Sequence, residues 1–152
     1  MAVIRWDGTP SPPLTSQGNV LTTELNTLTN GSFSAASPAY DNRTKRDEWA
    51  WIGFTAGGSI TPTTGATISV FTSLSLDATN YDDPASSTNP ATHQLVAVIA
   101  LQASAHTVRA FSSAPFRLPP SLVKFVLRNQ AGVSLSGSGN VLALYTSNEE
   151  VK

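Results

Sequence analysis

The chain contains no cysteine, which excludes a disulfide framework, a thiolate zinc site and a cysteine nucleophile. Stability must therefore come from the core or from partner subunits. Charge is nearly as scarce. Nine Lys and Arg against ten Asp and Glu leave a net charge of −1, and only 12% of residues are charged, too weak a field to draw nucleic acid or an anionic membrane. Long apolar runs are missing as well. The longest, Leu95 to Leu101, is far short of the roughly 20 residues a membrane-spanning helix needs, so no such span is expected. Met1-Ala-Val-Ile-Arg-Trp-Asp7 meets prolines from Pro10 on, which argues against a secretory leader.

Histidine and paired acids are thin too. His93 and His106 stand near opposite ends of one apolar stretch and suit separate loop-edge positions better than a shared metal site. No serine lies in a Gly-x-Ser-x-Gly elbow, and the acids fall in turns and termini rather than at strand centres, where a glycosidase pair would face a cleft. The expectation is a protein that is not an enzyme and takes no cofactor.

What remains is a 152-residue chain, one domain's worth, rich in Ser and Thr and punctuated by ten Gly and ten Pro. That composition favours short strands and tight turns. Residues 1–19 read as an extended arm, because three prolines and two glycines between Asp7 and Asn19 resist helix interiors and central strands. Its tip carries Val3, Ile4 and Trp6, which are costly to leave in water and should dock on the chain's own sandwich or on a neighbour. Residues 20–152 form the domain proper. Val20 to Leu28 fits a short helix or an irregular strand, and Arg43 to Glu48 fits a solvated turn whose charges cancel.

From Glu48 onward the period-2 alternation of strands dominates. Glu48 to Thr55 places Trp49 and Trp51 on one face and Ile52 and Phe54 on the other. Thr67 to Leu76 reads as half-buried. His93 to Gln102 is apolar on both faces and reads as a central strand, with Thr107 to Phe111 pairing beside it. Ser121 to Asn129 points Val123, Phe125 and Leu127 inward and Lys124 and Arg128 outward. A last hairpin joins Val133–Ser136 to Asn140–Tyr145 through Gly137-Ser-Gly139. Seven or eight such strands predict an all-β antiparallel sandwich of jelly-roll type.

Two surface features invite a function. The connection from Asn80 to Pro90 is long enough to suggest a contact between subunits, which makes Tyr81, Asp82 and Asp83 candidate interface residues beside Val3, Ile4 and Trp6. The oxygen-rich run Asp77 to Asp83 matches no EF-hand spacing and fits a polar turn better than a calcium loop. Trp49, Trp51 and Tyr81 suit core or interface packing, with a sugar-stacking platform as the alternative.

Several segments together carry a resemblance. Leu25-Asn-Thr-Leu-Thr-Asn-Gly-Ser32 with Asp41-Asn42, Ser73-Leu-Ser-Leu-Asp-Ala-Thr-Asn-Tyr81, Phe116-Arg-Leu-Pro-Pro-Ser-Leu-Val-Lys-Phe-Val-Leu-Arg-Asn129 and Ser136-Gly-Ser-Gly-Asn140 resemble small virion structural proteins of tailed bacteriophages. The resemblance implies a capsid decoration (cement) subunit, a trimer in the virion, partnered by the major capsid protein or another virion protein and assembled in the bacterial cytoplasm. A tail, baseplate or fibre-adaptor component, and a carbohydrate-binding module for host attachment, are the alternatives.

Overall fold

The computed structural model describes residues 14–82 and 94–148. Val3, Ile4, Trp6, Asp83 and His93 lie outside them. The strands are β1 (Thr15–Leu21), β2 (Tyr40–Asp41), β3 (Trp49–Ile60), β4 (Thr67–Ser75), β5 (Leu95–Ala100), β6 (His106–Phe111), β7 (Phe116–Arg117), β8 (Leu122–Gln130) and β9 (Val141–Ser147). A 3₁₀ turn at Thr23–Leu25 and a one-turn helix α1 (Asn42–Lys45) are the helical pieces among the described residues.

Every pairing is antiparallel, and the strands form two sheets. Sheet A has the order β1-β9-β3-β6, with β7 capping one end of β3, and sheet B has the order β2-β8-β4-β5. Alternation along each strand aims one face at the opposite sheet. Sheet A contributes Ala50, Ile52, Phe54, Val108, Leu142 and Leu144, and sheet B contributes Ile68, Val70, Ile99, Val123, Phe125 and Leu127, to one continuous core. The all-β antiparallel sandwich expected from the alternation is what the chain forms.

Individual elements differ from their sequence reading for physical reasons. Residues 15–19, within the stretch read as an arm, belong to β1; Gly18, at φ +93°, marks a register shift that lets this polar strand follow β9. Leu95–Ala100 is an edge strand, not a central one: among the described residues β5 pairs with β4 alone and leaves Leu95 41% and Val98 47% exposed. Its chain neighbour β6 crosses to sheet A and pairs with β3. Val133–Ser136 forms no strand, and β9 pairs instead with β1 and β3. The loop before β9 is held by Leu135 N–H donating to Leu28 O and by the side chain of Asn140.

β4 is covered on both faces because Phe33, from the segment that runs beside β8, lies on its outer face, and the turn that follows β4 bonds back to Ser73. Phe33 packs edge-on against Phe71, with ring centroids 5.8 Å apart, under the guanidinium of Arg128. Along β8 the ladder is completed by serines. Ser34 N–H donates to Leu127 O while Ser34 Oγ accepts from Leu127 N–H, and Ser37 repeats both bonds with Phe125. A hydroxyl here stands in for a strand carbonyl, so an irregular, proline-containing segment satisfies a buried strand.

Three buried asparagines pin the loops. Asn42 donates to Asp47 O and Pro119 O and accepts from Asp47 N–H. Asn129 donates to Leu28 O and Val133 O and accepts from Ala131 N–H. Asn140 donates to Ser136 O and accepts from Gly57 N–H and Ser136 Oγ. Gly57 is required by close approach, since a Cβ there would stand 1.7 Å from Ser138 O.

Candidate functional site

The turn after β4 is built around one carboxylate. Asp77 Oδ1 accepts from the N–H groups of Thr79 and Asn80 and from Ser75 Oγ, and Asp77 Oδ2 accepts from Asn80 Nδ2. The backbone N–H of Asn80, then that of Thr79, then the Asn80 amide hold this carboxyl well below the usual carboxylate range. Ala78 takes a left-handed conformation, φ +69°, inside the turn. Asp82 turns back onto β4, where its side chain accepts from Leu74 N–H and its carbonyl accepts from Ser73 Oγ. These carboxylates are occupied by their own loop, as a polar turn requires, and the described residues hold no cluster of three or more metal-ligating side chains.

The same bonds fix what the turn displays. Leu76, just past the end of β4, is 83% exposed, whereas Leu74 two residues earlier is half-buried. Tyr81 folds against sheet B, with Lys124 Nζ 4.0 Å from its ring centroid, and forms one wall of a shallow depression with Ser37, Pro38 and Thr79. Of the sequence-derived interface residues, Tyr81 and Asp82 are thus brought together at one end of sheet B. Leu76 was missed. Its alternation with Leu74 makes it look inward-facing, and only the end of the strand at Ser75 turns it out.

Tyr81 does not join the tryptophans. Trp49 and Trp51 lie on the outer face of sheet A, half-buried, and the residues that extend this face are Tyr145 and Phe111. Trp51 stands opposite Tyr145, and Gly53 stands between Ala143 on β9 and Phe111 on β6. The rings of Phe111 and Tyr145 meet over Gly53 with centroids 5.9 Å apart, and a Cβ on Gly53 would come within 2.9 Å of the Phe111 ring. Phe111 is 62% exposed. The outcome is an apolar shelf with small residues as its floor. It was not visible in sequence, because it depends on which strands are neighbours.

A third cluster lies where β1, β9 and α1 meet. Tyr40 Oη donates to Asp47, and burial first, then that bond, raises the phenol well above its ordinary value. Lys45 Nζ lies 4.8 Å from the Tyr40 ring centroid and donates to Gln17 Oε1, while Gln17 Nε2 donates to Thr146 Oγ1. Arg43 pairs with Asp41 at 3.1 Å across an exposed turn. These contacts tie the α1 turn to β1. His106 rests against Ser104 O at 2.6 Å, a loop-edge imidazole as expected.

No helix among the described residues is long and apolar enough to cross a membrane. Set against family models, curated proteins and solved structures, the chain matches none.

Proposed function

We propose that the chain is a non-enzymatic structural protein of a tailed-phage virion, a jelly-roll subunit that binds the outer surface of the head as a trimer and stabilises it. The strand orders β1-β9-β3-β6 and β2-β8-β4-β5 support the jelly-roll reading, because two interlocked Greek keys of eight strands give this alternation between sheets. The observation that carries the contact is Leu76, 83% exposed on a turn made rigid by four hydrogen bonds to Asp77, at the root of the 80–90 connection. With the turn held in advance, docking costs mainly the rotamer freedom of the leucine side chain. Binding only the assembled shell then raises shell stability in proportion to the logarithm of subunit concentration over dissociation constant.

Two measurements test this reading. Immunogold labelling of virions with antibody against this chain should place gold over heads; gold confined to tails would replace decoration by the adaptor role. Leu76→Arg removes a contact worth about 1.5–3 kcal/mol if fully buried, so it should weaken binding to purified heads by about tenfold or more. Because the side chain is exposed in the free subunit, the variant should fold normally, and unchanged head binding would remove Leu76 from the contact.

A further inference from the structure

We infer that the aromatic shelf on the outer face of sheet A is the docking site of this chain's own N-terminal segment, residues 1–13. The shelf is a sheet face that no other described element covers, with Trp51, Tyr145 and Phe111 grouped over Gly53 and Ala143, and Phe111 alone is 62% exposed. Large rings gathered on one face of a monomer mark a binding surface.

The place where the described chain begins supplies the occupant. β1 starts at Thr15, and Ser16 lies directly beside Tyr145, which in turn faces Trp51. The preceding segment therefore leaves the sheet at the margin of the shelf. Phe111 stands three strands away, about 14 Å at the usual strand spacing. The nine residues from Trp6 to Thr15 can span roughly 30 Å when extended, so the apolar tip reaches across the whole shelf. In an extended backbone Ile4 and Trp6 fall on one side and Arg5 and Asp7 on the other, so one edge of the segment is apolar and the other is charged. Tethering makes the encounter unimolecular, which favours the chain's own segment over one from a neighbour. The inference is independent of the virion reading, since it concerns the isolated subunit.

Because the chain has no cysteine, Ala2→Cys gives one site for a nitroxide label on the full-length protein. In the amide NMR spectrum, Gly53, Phe111 and Ala143 should lose most of their intensity, while Ser73 and Val126 on the outer face of sheet B keep theirs. Phe111→Lys in the labelled protein should restore the shelf signals and leave the remaining spectrum in place. Absence of shelf broadening in the Ala2→Cys protein would overturn the inference, as would broadening that survives Phe111→Lys. A mixture of isotope-labelled chains without nitroxide and unlabelled chains with it should show no broadening; if it does, the segment belongs to a neighbour and docking within the chain is refuted.

Discussion

Replacing Asn129 by Leu keeps the branched outline of the side chain, adds some volume, and removes three hydrogen bonds from a fully buried position. Leu28 O keeps a partner, because Leu135 N–H also donates to it at 3.0 Å. Val133 O and Ala131 N–H are the groups left without the bond that Asn129 gave them. Orphaning the buried Ala131 N–H costs about 1–3 kcal/mol and the half-buried Val133 O adds about 1, so the variant should lose about 2–4 kcal/mol from a total that for domains of this size is about 5–15. Urea unfolding followed by circular dichroism reads this directly. With a slope of about 2 kcal/mol/M, the midpoint should fall by about 1–2 M while the slope itself stays constant. Asn129→Asp should be worse at neutral pH, since a carboxylate would face two carbonyl oxygens. A midpoint for Asn129→Leu within about 0.3 M of the parent would refute the reasoning that buried amides hold these loops.

Gly57→Ala forces a methyl into Ser138 O and should cost about 3 kcal/mol, a drop in Tm of about 6–12 °C, while Gly58→Ala, whose Cβ would find its nearest neighbour at 3.7 Å, stays close to the parent. Equal Tm values for the two variants would contradict the close-approach argument. Tyr40 holds its proton more tightly in the fold than its ordinary value of 10.0 allows in the unfolded chain. Its contribution to stability is therefore complete below that pH and is lost as pH rises above it. Tyr40→Phe should flatten the alkaline decline in urea midpoint, and parallel curves for the two proteins would show that this phenol does not govern it.

Much of the fold was legible because alternation reports burial directly. Ser121 to Asn129 shows its inward set, Val123, Phe125 and Leu127, without any knowledge of neighbours. Strand rank within a sheet is a different matter. Leu95-Val-Ala-Val-Ile-Ala100 has the composition of a central strand and lies at an edge, because composition records how apolar a segment is and not how many strands flank it. Thr67 to Ser75 reads as half-buried since its outer residues are mostly serines, yet Phe33 lies on Phe71 in that face while Gln130 and Asp82 engage Ser69 and Ser73. The turn at Asp77 was readable from Asp and Asn spacing. The shelf was not, because Phe111, Gly53 and Tyr145 come from three strands that no local pattern links.

The two ends of sheet B have different valence. Beyond β8, the segment around Ser34 and Ser37 turns its hydroxyls onto its own carbonyls, at Ala35 O and Pro38 O, and offers no regular row of donors and acceptors to an incoming strand. Beyond β4, β5 ends the sheet with six residues that include neither a charge nor a proline, the devices that usually discourage strand addition. Among the described residues, growth through this sheet is therefore one-sided. Two copies that join β5 to β5 consume both open ends and stop, so the arrangement permits a closed pair and blocks an endless ribbon. A ring of three has to be built from other surfaces.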